Sequence, residues 1–530
     1  MAKAHAMEQP EVRTERGEGA AAPSPVAPVE HPEADLRPTR WAEDTIVAIS
    51  TAIGTGAIGI VRMSGPDAIA LAGRVFLPGR GTPIQADETY SLLYGHVVDP
   101  DNGDVVDEAL LAVMRKPRSY TREDVVELHC HGGIAAQRAV LRLLTRMGVR
   151  LAEPGEFTRR AFLNGRIDLA QAESVAAIVA ARSSGALRAS VRQLDGGLSK
   201  ALRTAREQLV GLLAQLEATV DFFDEDVDEV DRISLGQSLA SVQSELLRLL
   251  RTAFLGRALE QGVSTAIVGR PNVGKSSLLN ALLMRERAIV SHLPGTTRDT
   301  VEELMEIRGI PVHLVDTAGI RNDGGYVEQL GVARSVKAME QADLVLAVID
   351  LSAAWDDDDR RLILDLDPAR SIIVGNKADL VEDEQGRVQA LRDHILGGEV
   401  AGRGQRGNTV PTGAAPATQD LGAPQRRICV VSALTGSGLD ELRSAIQQVV
   451  TGGEEFHLEE PVLASERQRV LVGEAAECTG TALQGVADGA GDELVCEDIR
   501  GAVEALGRIT GEDLTADLLD EIFSKFCLGK

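Results

Sequence analysis

Gly269-Arg270-Pro271-Asn272-Val273-Gly274-Lys275-Ser276 decides the fold of the middle third of the chain. The stretch has the spacing Gly-x4-Gly-Lys-Ser. An apolar run over 264–269 precedes it and reads as a buried strand; 276–285 follows it and reads as a helix. Strand, glycine-rich loop and helix in that order aim backbone N–H groups and the positive end of a helix at phosphate oxygens. Lys275 would neutralise the outer phosphates, and the Ser276 hydroxyl would ligate Mg2+. Such a loop alone serves ATPases as well as GTPases. Four further stretches in the right order point to guanine: Thr296-Thr297, Asp316-Thr317-Ala318-Gly319, Asn376-Lys377-Ala378-Asp379 and Ser432-Ala433-Leu434.

Each stretch has a chemical reason. Thr297 is the second candidate hydroxyl ligand of Mg2+, on a loop that orders around a γ-phosphate. Asp316 ends an apolar strand (Val312 to Val315) and would hold a metal-bound water, while the Gly319 N–H would sense the γ-phosphate. The Asp379 carboxylate can accept two N–H bonds from guanine, where adenine would present an acceptor and leave it unpaired. Asn376 would contact the other base edge. The nucleotide-contacting set is therefore Asn272, Val273, Gly274, Lys275, Ser276 and Ser277; Ser291, His292, Leu293, Pro294, Gly295, Thr296 and Thr297; Asp316, Thr317, Ala318 and Gly319; Asn376, Lys377, Ala378 and Asp379; and Ser432, Ala433 and Leu434.

Catalysis departs from the common pattern. Many small GTPases place a water-orienting Gln directly after Asp-x-x-Gly. Here that position is Ile320, which neither donates nor accepts. Glu328 is the nearest downstream carboxylate, at the start of a helical pattern over 326–341; it either positions the water or simply favours the helix N-terminus. Asn272 either helps bind a monovalent cation or braces its loop.

The 530 residues allow three or four domains, and a composition 25% charged and 44% hydrophobic is that of a globular chain. Cys130, Cys429, Cys478, Cys496 and Cys527 lack Cys-x-x-Cys spacing, which suggests a reducing compartment and no structural zinc. No apolar stretch is long enough to span a membrane, and the N-terminus lacks a signal-peptide core, so a cytoplasmic location is expected. The net charge of −25 argues against broad nucleic-acid binding. Residues 45–160 hold 13 acidic and 13 basic residues, whereas the last 80 hold 18 and 6, so any RNA contact should be local.

The expected architecture is an α/β P-loop GTPase domain inserted in an all-α helical domain, preceded by an α/β N-terminal domain. The boundaries read as a disordered Pro/Ala-rich tail over 1–43, an α/β domain over 44–160, and a first helical part over 161–260. The G domain then covers 261–452 with an insertion at about 383–425, and a second helical part covers 453–530. Within the N-terminal domain, Thr45–Ser50, Ile58–Met63, Ser91–Val98, Glu108–Met114 and Val125–His129 read as strands, and 67–76 and 134–147 as helices. Ile167 to Ser184 and Leu198 to Val220 read as long amphipathic helices. Four stretches are decoys. Gly54-x-Gly-x-x-Gly59 leads into a strand rather than a helix. His129-Cys130-His131-Gly132-Gly133 reads as a turn or small-ligand pocket. Asp221 to Asp231, with seven carboxylates, reads as a solvated segment, and Trp355 to Asp359 as the start of a helix.

Several motifs outside the nucleotide site resemble the MnmE (TrmE) tRNA-modification GTPase family. They are Thr45-Ile46-Val47-Ala48 with Gly59-Ile60-Val61-Arg62-Met63-Ser64-Gly65, Tyr120-Thr121-Arg122-Glu123-Asp124-Val125-Val126-Glu127 running on to His131-Gly132-Gly133, Pro154 to Asn164, and Asp168 to Glu173. The terminal Phe526-Cys527-Leu528-Gly529-Lys530 matches as well. The resemblance covers about 45–530 without 383–425. It implies a homodimer formed through the N-terminal domains and an FAD-dependent MnmG-like partner, together a heterotetramer. It implies a tetrahydrofolate one-carbon donor used to install a carboxymethylaminomethyl- or aminomethyl-type group on carbon 5 of the tRNA wobble uridine. Folate-contacting positions of the family fall on Arg62, Glu127 and Lys530, and on Arg166 where the family has Lys. The family's K+ pocket falls on Asn272, Ser291, Leu293 and Thr296, and its catalytic Glu on Glu328. Cys527 matches a family cysteine of open role, either a functional thiol or a structural one. The competing readings are a ribosome-assembly GTPase switch with a related G domain and a folate-binding scaffold with a vestigial GTPase. The first would need an RNA-binding appendage such as a KH domain, and no basic Gly-x-x-Gly clamp is seen. Against the second stand Lys275, Ser276, Thr297, Asp316 and Glu328.

Overall fold

Alternating apolar and polar residues fold the N-terminal part into a mixed sheet. The computed structural model describes residues 44–79, 89–221, 231–285, 303–315, 339–402, 426–453, 460–512, 516–527 and 529. The strands are β1 (Ile46–Ile49), β2 (Ile58–Ser64), β3 (Phe76–Pro78), β4 (Ser91–Val98), β5 (Val105–Met114), β6 (Val125–His131) and β7 (Arg150–Leu151). They run in the order β3-β4-β5-β6-β2-β1-β7. All neighbours are antiparallel except β1 and β7. Period-two alternation puts Val61, Met63, Leu111, Val113, Val126 and Leu128 on one face. Helices α1 (Ala68–Val75) and α2 (Ile134–Arg146) cover that face with Ala72, Val140 and Leu144. The two shortest strands, β3 and β7, carry too few residues for any periodicity and escape a sequence reading.

Six helices follow: α3 (Glu156–Leu163), α4 (Leu169–Ala180), α5 (Ser184–Leu194), α6 (Gly197–Asp221), α7 (Arg232–Arg251) and α8 (Ala253–Gln261). The pattern over 167–184 predicts one helix, and the structure corrects this. Asp168 closes a capping box with Gln171 to start α4, Ala181 turns to an extended conformation, and Ser183 caps a new helix. An apolar period continues across the break because each helix buries one face, α4 with Leu169 and Ala172 beside the C-terminal Phe523 and α5 with Ala186 beside Leu259 and Ile310.

The nucleotide-binding part consists of β8 (Val263–Val268), α9 (Lys275–Arg285), β9 (Glu303–Ile307), β10 (Ile310–Val315), β11 (Leu344–Asp350), α10 (Asp357–Asp365), β12 (Ser371–Asn376), α11 (Glu384–Gly402), β13 (Arg427–Val430) and α12 (Leu439–Val450). Its sheet runs β13-β12-β11-β8-β10-β9 and is parallel except for the β9–β10 hairpin. Strands β11 and β12 are almost continuously buried, as a parallel sheet covered on both faces requires. The first part of the 383–425 insertion is helical over Glu384–Gly402: Leu391 is buried against Leu351 and Ile363, and Arg387 lies over the Trp355 ring. The rest of that stretch, residues 403–425, lies outside the described residues, as do the tail 1–43 and the acidic residues 222–230.

Three helices close the chain: α13 (Glu466–Asp488), α14 (Asp492–Thr510) and α15 (Ala516–Ser524). Helices α6 and α7, from before the nucleotide part, pack with α13 and α14, from after it, around Leu202, Leu209, Leu239, Leu246, Val472, Ile499 and Leu506. Each such fully buried leucine contributes about 2 kcal/mol. The G domain is thus inserted in a helical domain that follows an α/β domain. Its entry and exit are tied together: Leu463 N–H donates to Thr252 Oγ1 at 3.1 Å, and a Cβ on Gly256 would lie 1.8 Å from the Leu463 carbonyl oxygen. Among the described residues, no helix is long and apolar enough to cross a membrane.

Candidate functional site

The glycine-rich loop leaves β8 where the strand order reverses. From β8 the chain builds β9 and β10 on one side and β11 to β13 on the other, which opens a crevice at the strands' carboxyl ends. Gly269 (φ +146°) fits there only without a side chain, since its Cβ would lie 2.3 Å from the Val348 carbonyl oxygen. Asn272 (φ +63°) and Gly274 (φ +98°) adopt left-handed backbone, which turns successive N–H groups into the loop as an anion-binding nest. Lys275 Nζ donates to the carbonyls of Gly269 (2.9 Å) and Arg270 (2.7 Å), so the ammonium lies inside the same loop. Ser276 and Ser277 follow in the first turn of α9. Arg270 pairs with Asp356 (2.8 Å) and Asp359 (3.1 Å). The run after Trp355 therefore starts α10, as expected, through a capping box, and it also anchors the outer arm of the loop.

The stretches expected to read the base meet at the ends of β12 and β13. Asn376 is buried. Its Oδ1 accepts from Ala433 N–H at 3.0 Å and its Nδ2 donates to the Val273 carbonyl at 2.9 Å. The sequence reading gave Asn376 a base contact; the structure adds that it braces the phosphate loop against the 432–434 stretch, with a second Nδ2 hydrogen in its chemistry for a base. Asp379 lies in a single 3-10 turn, Ala378–Leu380, and its Oδ1 accepts from Ser432 Oγ at 2.5 Å. Ser432 Oγ in turn accepts from Thr435 N–H at 3.1 Å, which fixes the hydroxyl. Lys377 (φ +64°) pairs with Asp350 at 2.7 Å. Burial alone would raise the Asp350 carboxyl, but Lys377 and Ser352 outweigh it and hold it below the ordinary carboxylate range. Asp379 and Leu434 face solvent, so the base side is open to entry. Ser291 to Thr297, Asp316 to Gly319, Ile320 and Glu328 lie outside the described residues.

A second constellation forms where the two chain ends meet. Arg62 on β2 and Glu127 on β6 are direct cross-strand neighbours, joined at 2.7–2.8 Å. The Arg62 guanidinium lies 5.7 Å from the Tyr120 ring centre and 5.6 Å from that of Phe157, and Arg166 lies 4.7 Å from Tyr120. The Gly529 carbonyl accepts from Ser50 Oγ (3.1 Å) and from Arg62 (3.4 Å), and the Cys527 carbonyl accepts from Gly155 N–H (3.3 Å). Gly529 (φ +89°) must be glycine, because a Cβ would lie 2.3 Å from the Ile49 carbonyl oxygen. Arg62, Glu127 and Arg166 thus come together with the C-terminal tail; Lys530 lies outside the described residues. Burial would raise the Glu127 carboxyl, but Arg62 and a 3.1 Å bond to His129 hold it below its ordinary value. Of the 129–133 stretch, read as a turn or pocket, His129 to His131 end β6 and Gly132-Gly133 bend into α2. His131 pairs with Asp107 at 2.7 Å, and among the described residues no group of three or more His, Cys, Asp or Glu is arranged for a metal ion.

Sequence reasoning missed the residues that hold this corner. Tyr120 and Phe157 supply its aromatic walls. Arg160, 3% exposed, binds Asp44 (2.7 Å), Glu156 (2.9 Å) and Glu123 (3.1 Å), and Arg150 joins the same Asp44 (2.5 Å) and Glu156 (2.6 Å). These carboxylates push the Arg160 guanidinium above its ordinary value, against burial, which alone would lower it. The signal was present: Glu156, Arg159 and Arg160 sit within a helix that also carries Phe157, Ala161 and Phe162, a polar load that only an internal network explains.

Two family models match the chain: the GTP-binding protein TrmE N-terminus over residues 45–166 and the MnmE helical domain over residues 169–527. The chain is 45% identical over 489 residues to a tRNA modification GTPase MnmE from Moorella thermoacetica, covering 92% of this chain and 100% of that protein. It is 39% identical over 488 residues to the tRNA modification GTPase MnmE of Desulforamulus reducens, with 92% and 100% covered. Among solved structures, it is similar to Aquifex aeolicus Era bound to GDP and aluminium fluoride, at 26% identity over 41% of this chain and 66% of that one, with a TM-score of 0.25. It is also similar to the G domain of the T. maritima FeoB iron transporter, at 24% identity over 35% and 98%, with a TM-score of 0.22.

Proposed function

Since the chain belongs to the MnmE family of tRNA modification GTPases, we propose that its GTP hydrolysis gates a one-carbon transfer from a tetrahydrofolate derivative to carbon 5 of a tRNA wobble uridine, performed with an FAD-dependent MnmG-like partner. The observation that supports this reading is the convergence of Arg62, Glu127 and Arg166 on the C-terminal tail. The donor set suits a reduced folate. Two guanidinium groups would face its glutamyl carboxylates. An ionised Glu127 suits N–H donors of a pterin, and Tyr120 and Phe157 offer apolar faces. Bound there, the folate would supply the carbon unit. Arg62 and Arg166 would orient it, and the covering tail would limit water.

At the nucleotide site, the 269–274 nest and Lys275 hold the phosphates, and Asp379, aimed by Ser432, reads guanine. Ser276 and Thr297 would hold Mg2+, which screens phosphate charge. With Ile320 unable to orient water, Glu328 is the group assigned to it. Asn272, Ser291, Leu293 and Thr296 would hold K+, supplying the positive charge that other GTPases take from an arginine. We place the working form as a homodimer in the cytoplasm, through its 44–160 domain, with a heterotetramer on binding the partner.

The test is mass spectrometry of wobble nucleosides from a deletion strain carrying the wild-type chain or Arg62→Ala. The wild type should restore the C5-modified uridine; R62A should not, while keeping GTP hydrolysis. Intact wobble uridine modification in the deletion strain would sink the reading.

A further inference from the structure

Helix α5 is capped by a segment more than a hundred residues away. The first N–H groups of a helix have no partner within it. In α5, Ser184 N–H donates to Glu306 Oε2 at 3.1 Å, Gly185 N–H to the Gly309 carbonyl at 3.1 Å, and Ala186 N–H to Ser183 Oγ at 3.1 Å. Glu306 Oε1 also accepts the Ser184 hydroxyl (2.6 Å), and Gly309 O the Ser183 hydroxyl (2.7 Å). The β9–β10 hairpin of the G domain therefore supplies two of these caps, one of them a carboxylate at the positive end of the helix. The fit leaves no slack: a Cβ on Gly185 would lie 2.3 Å from the Gly309 carbonyl oxygen, and Gly309 holds φ +88°.

The hairpin stands between the two motifs that sense a γ-phosphate. In sequence, β9 follows Thr296-Thr297 by six residues, and β10 runs directly into Asp316. At the other end of α5, Leu194 O accepts from Gln171 Nε2 at 2.7 Å, and Gln193 Nε2 donates to Ala170 O at 3.2 Å. Gln171 is the capping-box partner of Asp168 at the start of α4, two residues beyond Arg166. An 11-residue helix, about 16 Å long, thus bridges the nucleotide hairpin and the Arg166 corner.

We propose that α5 is the coupling rod between the two sites: the nucleotide state shifts the β9–β10 hairpin, which changes the capping of α5 by Glu306 and Gly309, and α5 passes the change through Gln171 to the start of α4. This deepens the proposed gating of one-carbon transfer by GTP, but its near end requires only that the chain is a GTPase.

The test is amide hydrogen exchange on the full chain with GDP and with GDP plus aluminium fluoride, for wild type, Glu306→Gln, Gly185→Ala and Gln171→Ala. In the wild type, amides 184–187 and 169–172 should exchange at rates differing by about tenfold between the two states, the scale of one or two capping bonds. E306Q and G185A should reduce both differences to less than about twofold while GDP affinity stays within about threefold. Q171A should abolish only the response at 169–172. If G185A does not fold, E306Q decides alone. A wild-type α5 indifferent to nucleotide, or an undiminished response in E306Q, overturns the proposal. No folate is present in the experiment, so failure of the one-carbon reading leaves its outcome untouched.

Discussion

Arg62 and Glu127 face each other across one rung of the β2–β6 ladder, 2.7 Å apart, and the carbonyl of Gly529 lies against the same guanidinium. The pair is mostly buried, 20% and 15% exposed, so its charges are screened less than a surface pair's. Glu127→Gln should therefore cost about 1–3 kcal/mol in urea unfolding at pH 7. The folded carboxyl is held below its ordinary value of 4.5. Its contribution is complete above the unfolded value and vanishes as pH falls through the folded one. The wild-type advantage over E127Q should accordingly shrink below about pH 4.5; an advantage independent of pH would mean that packing, not charge, is what the substitution removes.

Asp379 is prearranged rather than merely present. Ser432 donates to one carboxylate oxygen at 2.5 Å, which leaves the group oriented before any base arrives. Asp379→Asn replaces an acceptor of two N–H bonds by a group that must itself donate one. Competition binding should show GTP weakened on the order of 10^3-fold and xanthine nucleotides gained. Ser432→Ala should weaken GTP by less, about tenfold, without changing the base preferred. Unchanged guanine preference in D379N would remove the base-reading role.

The P-loop fold was legible because it is local: a run such as Val263 to Ser276 fixes strand, nest and helix through contiguous residues. The inserted arrangement was legible from two helical patterns flanking the G domain. What escaped depends on partners far along the chain. Arg160 reads as a surface charge until Asp44 and Glu123 appear beside it, and Glu306 reads as an ordinary strand carboxylate until it meets Ser184, 122 residues away. The break at Ala181 to Ser183 was hidden for a related reason: apolar period reports that a face is buried, not against which partner, and α4 and α5 each bury one, against different clusters. Asn376 was assigned from its motif alone, which is silent on the Val273 carbonyl it also holds.

Thiol reactivity should separate the cysteines by burial. Burial pushes the Cys130 and Cys429 thiols up to about 11, with Asp107 adding to the shift at Cys130 and Glu441 at Cys429. At pH 8 about 0.1% of each is thiolate. Cys527 is exposed beside the Arg62 corner. Iodoacetamide at pH 8, followed by peptide mass spectrometry, should therefore modify Cys527 well ahead of Cys130 and Cys429. Comparable labelling of Cys130 would mean that β6 opens to solvent far more readily than its fully paired neighbours allow.

Asn272 occupies left-handed backbone at the exposed tip of the phosphate loop, a conformation costly for most side chains but tolerated by Asn. Bracing alone would be served as well by glycine, which adopts the same φ without cost. If instead the amide oxygen is a cation ligand, the two roles separate experimentally. Asn272→Gly should keep GDP affinity within about threefold, since the backbone nest survives. Hydrolysis by the wild type should then be faster in K+ than in Na+ at equal ionic strength, and N272G should lose that difference. Glu328→Ala should keep GTP binding while turnover falls on the order of a hundredfold or more, as expected of a lost water-positioning group. Equal rates in the two salts would assign Asn272 to bracing, and normal turnover in E328A would require some other group to stand where Ile320 cannot act.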